Sequence, residues 1–406
     1  MTADTRRRFK RWLWRPPRPH GDVVTDRNVS FLELFYDLVY VAVIGQAAHH
    51  LAEHVTILAF AEFAVLFSLI WIAWVNGSLY IELHGRDDGL TRNFVFIQMA
   101  ILVLLAVFTA DAAGDTGPAF ALVYALFLAV MTVQWNAVRR QDRPEFMTVT
   151  GRYQAGMLIS VAVMVASAFL PTEARLVVWA GYATAWILGI GIVGWLWRIG
   201  LTPGMTPTES LVERFGLFTI IVLGEVIFGV VGGLSAAEHD VKTIGTGLLA
   251  LLLGFGYWWM YFDVVGRRLP RTDGPALANW LLSHFPITLS IAAAGAGSTS
   301  LIAHAHDAST PESTAWLLSG AVALGLLALI VIERSLVDAE RLVGVYRPLS
   351  VAMAAGAAVA LFVGWMRPAP WLLAVLLVTI LSVLWFFAVF RFLRYDAWGD
   401  ALRDSF

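Results

Sequence analysis

Residues 29–51 read VSFLELFYDLVYVAVIGQAAHHL. As a helix rising 1.5 Å per residue, the run is long enough to cross a hydrocarbon core about 30 Å thick. It carries Glu33 and Asp37 and lacks a small-residue cleavage site, so it is read as a retained first helix and not as a removed signal peptide. Eleven similar runs follow, which gives expected spans at 29–51, 57–82, 91–112, 118–138, 153–170, 174–198, 209–234, 243–265, 276–302, 315–333, 348–366 and 370–392. Gly114 to Pro118, Pro171, Pro203 to Pro207, Pro270 to Pro275, Pro311 and Pro368 to Pro370 punctuate the intervals between them.

The composition agrees. Of the 406 residues 59% are hydrophobic and only 14% charged, and the mean hydropathy is +0.71, whereas a soluble domain is about a quarter charged. Twelve spans of about 20 residues leave room for short loops and tails, not for a soluble catalytic domain. There is no cysteine, which excludes disulfides, thiol nucleophiles and thiolate metal sites. Lys10 and Lys242 are the only lysines and neither lies in a span, so an intramembrane retinal-type Schiff base is excluded. The basic residues form no patch of the kind that binds nucleic acid.

Placing the N-terminus in the cytoplasm puts 24 of the 28 Lys and Arg residues on that side. Arg175, Lys242 and Arg367 fall outside and Arg214 within a span. That asymmetry supports an even number of spans with both termini cytoplasmic in a bacterial inner membrane. The tail begins with Arg6, Arg7, Arg8, Lys10 and Arg11 beside Trp12 and Trp14. Such a tail either lies on the anionic inner leaflet or stays solvated.

The second half echoes the first in order. Glu33-x-Phe35 matches Glu213-x-Phe215, and Trp71-x-x-Trp74-x-Asn76 matches Trp258-x-x-Tyr261-x-Asp263. Asn93-Phe94 matches His284-Phe285, and Pro171 matches Pro368. The expected fold is therefore all-α, a polytopic membrane protein of about 12 transmembrane helices in two tandem six-helix repeats of parallel orientation. Its expected parts are a basic cytoplasmic tail over 1–28, repeats over 29–200 and 201–394, and a cytoplasmic tail over 395–406.

Ionisable groups within spans are the candidate site. At 100° per residue Glu33, Asp37 and Tyr40 share one stripe of the first helix, with Tyr36 at its margin. A charged side chain at mid-membrane costs about 2.5–3.5 kcal/mol on insertion scales, so the stripe should face the bundle interior. Arg214 is the sole basic residue inside a span; either it pairs with an acid on a neighbouring helix, for which the repeat suggests Glu33 or Asp37, or it snorkels to the surface. Glu225 lies mid-span, just before Gly229-x-x-x-Gly233, a spacing that lets another helix approach closely. Glu213, Glu62 and His284 form a second tier, and Asp263 is expected to pair with Arg267 four residues on. His50-x-x-Glu53-His54 fits a zinc-protease pattern, but it ends a membrane span with no soluble domain around it. His50 and His54 are thus weak metal candidates, like His304 and His306 in another outer loop.

Phe31-Leu32-Glu33-Leu34-Phe35-Tyr36-Asp37-Leu38-Val39-Tyr40 resembles the opening helix of the bacterial low-temperature-requirement A (LtrA) family. Glu213-Arg214-Phe215-Gly216-Leu217-Phe218 through Val222-Leu223-Gly224-Glu225 resembles that family's other signature, and His284 followed by Pro286 and a small-residue helix fits as well. The resemblance implies a polytopic bacterial inner-membrane protein linked by name to growth in the cold; it brings no established substrate. The reading that follows is a transporter or channel-like protein in the lipid bilayer, coupled to a proton, cation or small solute through Glu33, Asp37, Arg214 and Glu225, with Tyr40 beside them. It needs no cofactor, catalytic residue or nucleic acid. A structural or regulatory membrane protein with packing polar groups is the alternative, followed by an intramembrane lipid-acting enzyme.

Overall fold

The computed structural model describes residues 15–22, 27–198 and 206–395, together with Thr5 and Trp12. Arg6, Arg7, Arg8, Lys10, Arg11, Trp14 and the tail from residue 396 onward lie outside the described residues. The long elements are helices: α1 Phe31–Glu53, α2 Ile57–His84, α3 Gly89–Thr109, α4 Gly117–Arg139, α5 Met147–Ser167 and α6 Thr172–Arg198, then α7 Glu209–Ala236, α8 Val241–Val264, α9 Gly274–Ala303, α10 Glu312–Arg334, α11 Val343–Met366 and α12 Pro370–Arg394. Within residues 15–22, 27–198 and 206–395 a 3-10 turn, Val337–Ala339, and an isolated antiparallel bridge between Pro270 and Leu336 are the only other regular features. All twelve helices are long and apolar enough to cross a membrane. The chain is a multi-pass membrane protein.

Hydrocarbon offers no hydrogen bonds, so a spanning segment must satisfy its own backbone, which a helix does. The same rule governs the buried hydroxyls. Thr109, Thr132, Thr219 and Ser298 donate to the carbonyls of Leu105, Leu128, Phe215 and Ala294, each four residues back, at 2.7–2.9 Å. Helix starts are capped where they leave the apolar layer. Asp88, Thr208, Asp240 and Asp273 accept from backbone N–H groups of α3, α7, α8 and α9, and prolines open α4, α9 and α12.

Two helices begin earlier than hydropathy suggests. The α5 helix starts at Met147 rather than 153, because Thr148, Thr150, Gly151 and Arg152 lower the hydropathy without breaking the backbone ladder. Helix α11 starts at Val343 rather than 348, so that Pro348 lies inside it. Proline cannot donate to the carbonyl four residues back. That carbonyl belongs to Gly344, and the Arg391 guanidinium of α12 donates to it instead.

The chain forms two compact units. One comprises 1–46, 65–189 and 199–205; the other 47–64, 190–198 and 206–406. In the first, a strap over residues 15–22 closes the end of α2. The Arg18 guanidinium donates to the carbonyls of Glu82 at 2.7 Å and Gly85 at 2.9 Å. The Arg18 N–H reaches the His84 carbonyl, and His84 Nδ1 meets the Arg18 carbonyl at 2.7 Å. These are carbonyls that a helix C-terminus leaves unpaired, and a cation is favoured there. His20 stacks on Phe146 and bonds Asp142, from its backbone N–H at 3.1 Å and its Nδ1 at 2.8 Å.

In the second unit α9 is the most buried span. It packs against α7, α8 and α10; α11 lies on α10, and α12 on α8 and α11. The run Ala292-Ala-Ala-Gly-Ala-Gly297 lets α7 approach to backbone contact. A Cβ on Gly295 would stand 2.6 Å from the Glu225 carbonyl oxygen, and one on Gly229 would collide with the Gly295 carbonyl. Thr299 Oγ1 ties the crossing with a 3.0 Å bond to the Gly229 carbonyl.

Two outcomes follow from this packing. Gly295→Ala is expected to destabilise the protein by about 2–3 kcal/mol, since its obstacle is backbone and cannot rotate away. Gly232→Ala, which meets nothing within 4 Å, should be neutral or slightly stabilising; thermal unfolding in detergent compares the two. The second concerns Asp142. Burial opposes its ionisation, but hydrogen bonds from Thr150 and His20 outweigh burial and hold its pKa below the ordinary aspartate value. Its contribution is therefore present above about pH 3.9 and lost as pH falls through the lower folded value. Pepsin should begin to cut the strap only in that acid range, and Asp142→Asn should open Arg18 to trypsin at neutral pH.

Candidate functional site

The α1 stripe faces inward. Asp37 and Tyr40 are fully buried and Glu33 nearly so. Each has a distinct neighbour within the first unit. Trp74 Nε1 of α2 donates to Asp37 Oδ1 at 2.9 Å. The Tyr36 and Tyr40 hydroxyls are 3.1 Å apart, so Tyr36 joins the stripe. Glu33 lies in the first turn and not at mid-membrane. Arg27 grips both its oxygens, at 2.7 and 2.8 Å, and also pairs with Glu82 of α2. Ser30 Oγ donates to Glu33 Oε1 at 2.9 Å while the Glu33 N–H returns to Ser30 Oγ at 3.3 Å. The Ser30-x-x-Glu33 spacing is that of a capping box, a signal present in the sequence.

In the second unit Arg214 is 0% exposed, so it does not snorkel. Glu225 shares its buried face of α7, eleven residues on, or about 16 Å along the axis; the two do not touch. Glu213 points to the exposed face. Glu225 is 5% exposed, and its Oε1 has no hydrogen-bond partner among the described residues. It stands one turn before Gly229, at the α7–α9 crossing. A buried acceptor without a donor costs about 1–3 kcal/mol, more if charged, and that cost disappears if a proton, cation or water occupies it.

His284 of α9 is spoken for. Its Nδ1 meets the Trp280 carbonyl at 2.7 Å and its Nε2 the Tyr261 hydroxyl of α8 at 2.9 Å. A proton on Nδ1 and an acceptor at Nε2 satisfy both contacts with a neutral ring. Asp263 does not pair with Arg267 as expected; it accepts from Trp385 Nε1 of α12 at 2.7 Å. Helix α8 ends at Val264, so Arg267 lies in the turn beyond it and not one helical turn along, and the indole N–H across the helix interface takes its place.

The histidine clusters divide among separate partners. Glu53 pairs with His49 at 3.2 Å, while His50 turns to Glu62 at 3.6 Å. The ring centroids of His50 and His54 are 6.1 Å apart. His306 bonds Asp240, the cap of α8, at 2.7 Å. Hydrogen bonds from His306 and Thr243 hold the Asp240 carboxyl well below the usual carboxylate range. His304 Nδ1 reaches its own helix at the Ser300 carbonyl. No three such ligands converge among the described residues.

The sequence reading passed over Glu333. It is fully buried at the end of α10, accepts from Ser350 of α11 through one oxygen, and has no partner for Oε2 among the described residues. Beside Arg334 at the edge of a span it looks interfacial in the sequence. Only the packing of α11 over it removes it from water. The strap residues Arg18, His20 and Asp142 were equally silent, since their partners are 64 or more residues away or lie across a loop.

Comparison with known proteins places this architecture. A protein of Rhizobium meliloti (strain 1021), described as uncharacterized, is 26% identical over 306 residues, spanning 70% of this chain and 73% of that one. No solved structure matches. The profile described as Bacterial low temperature requirement A protein (LtrA) matches residues 28–385, which include every candidate residue above. The chain belongs to the LtrA family.

Proposed function

We propose that the protein is a transporter or channel-like conductor in which Glu225 binds and releases a proton or small cation. One observation carries this reading: a carboxylate in the middle of a membrane helix, nearly sealed from solvent, with an oxygen that no described protein group satisfies. A carboxylate serving only to pack would have a donor, as Asp263 has in Trp385. The glycine crossing beside it brings the α9 backbone against α7 at Glu225, which fixes the stretch of helix that carries the carboxylate. Asp37, Tyr40 and Arg214 supply further buried polar groups on α1 and α7.

The organisation proposed with it is two tandem six-helix repeats of parallel orientation in a bacterial inner membrane, both termini cytoplasmic. The internal matches and the asymmetry of 24 basic residues against three support it. A dependence on cold growth would then arise indirectly, through ion or solute balance. A packing role is favoured for Glu33 and His284 as well. Glu33 belongs to a capping box, and both nitrogens of His284 are occupied.

Reconstituted protein tests the proposal through proton, sodium and potassium flux. Glu225→Gln should lower the flux at least about tenfold, or about 1.4 kcal/mol in barrier, while the unfolding temperature holds or rises. If the wild type moves none of the three ions and the variant changes only thermal stability, the transport reading fails and packing remains. Tyr261→Phe strips His284 Nε2 of its donor. It should cost about 1–2 kcal/mol of stability while leaving flux intact.

A further inference from the structure

The second unit contains a recess of about 580 Å³ where three helix ends meet: the last residue of α6, the start of α9 and the end of α10. Arg198, Arg271 and Arg334 line it, against a single acid, Asp273; Asn279 and Ser335 complete its polar wall. Arg271 is partly neutralised, with Nε 3.1 Å from Asp273 and Nη1 4.0 Å from Glu340. Arg198 and Arg334 are exposed and form no ion pair with any described residue. The balance at the rim is therefore cationic.

The scaffold under these residues is fixed. The Arg271 N–H bonds the Ser335 carbonyl at 2.8 Å and the Val337 N–H bonds the Leu269 carbonyl at 3.0 Å. This small bridge around Pro270 and Leu336 sets the Arg271 loop against the end of α10. Arg268 and Asp338 close a half-buried ion pair behind it. Guanidinium groups carried on a fixed backbone suit the planar, two-pronged recognition of phosphate oxygens. The recess is also within the size range of small-ligand sites.

We propose that this recess binds the anionic phosphodiester headgroup of a membrane phospholipid. The charge alone would serve a free phosphate equally well. Two further features favour a lipid. The recess lies at the ends of spans, at headgroup depth. Below Arg334 on the same face of α10, Val331 is 40% and Leu327 48% exposed, an apolar track at spacings of three and seven residues along which an acyl chain can lie. This site is independent of Glu225 and stands whether or not the protein transports ions.

Native mass spectrometry of the full-length protein in detergent, titrated with phosphatidylglycerol, phosphatidylcholine or inorganic phosphate, tests it. Wild type should retain phosphatidylglycerol in preference to phosphatidylcholine. The Arg198→Ala/Arg334→Ala double variant should bind phosphatidylglycerol at least about tenfold more weakly, with phosphatidylcholine unchanged. Neither side chain has an ion-pair partner to lose, and Arg334→Gln alone, expected to weaken binding in the same direction, guards against a folding defect. Arg140→Gln/Arg152→Gln, which removes two exposed arginines of the first unit, should leave binding as in wild type. Equal loss in that control would reduce the effect to general surface charge and overturn the proposal. Undiminished binding in the double variant would do the same. Inorganic phosphate binding as tightly as the lipid, and lost in the same variant, would assign the recess to a soluble anion and refute the lipid reading.

Discussion

A polar group that enters hydrocarbon must bring its partner with it or find one on an adjoining helix, because water is not there to supply one. That constraint orders the whole chain. Threonines and serines solve it locally, by donating back to the preceding turn. Asp37, Asp263 and His284 solve it across helix pairs, with an indole N–H or a tyrosine hydroxyl. Pro348 shows the rule from the other side. The carbonyl it leaves unpaired at Gly344 is taken up by a guanidinium from α12.

The pairing is incomplete elsewhere too, as at the hydroxyls of Ser78, Tyr182 and Tyr257 and the indole of Trp135, but a carboxylate left without a donor is the costlier case. Glu225 and Glu333 each keep an oxygen that no described residue satisfies. Their settings differ. Glu333 sits at a helix end, one oxygen already held by Ser350. Glu225 sits mid-helix, where α7 and α9 touch through their backbones at Gly229 and Gly295. Close backbone approach makes that crossing tight, since glycine lets the two helices meet with no side chains between them.

The helix ends obey a different balance. There water is available and charge is affordable. Arg18 seals the exposed carbonyls of α2, and Arg27 joins Glu33 to Glu82. Arg175 and Arg367, at other helix ends, are likewise employed. Arg175 holds the Gly114 carbonyl and Arg367 the Thr310 carbonyl. The cationic recess of Arg198, Arg271 and Arg334 differs in that most of its charge is left uncompensated by the protein.

What the sequence alone determined is whatever depends on transfer from water to oil. Twelve spans, ten of them with both ends within about three residues, follow from hydropathy and from proline and glycine punctuation. The inward direction of Asp37 and Tyr40 follows from helical periodicity, because a stripe of acids and hydroxyls is costly against lipid. The burial of Glu225 was legible for the same reason. Only the tertiary structure decided who meets whom. That Glu33 and Glu82 would share Arg27, that His50 would turn to Glu62 and leave Glu53 to His49, and that Glu333 would lose its water depended on which helices lie side by side. Transfer energies add residue by residue and can be read along the chain. Hydrogen-bond geometry belongs to pairs brought together by packing, and no single position carries it.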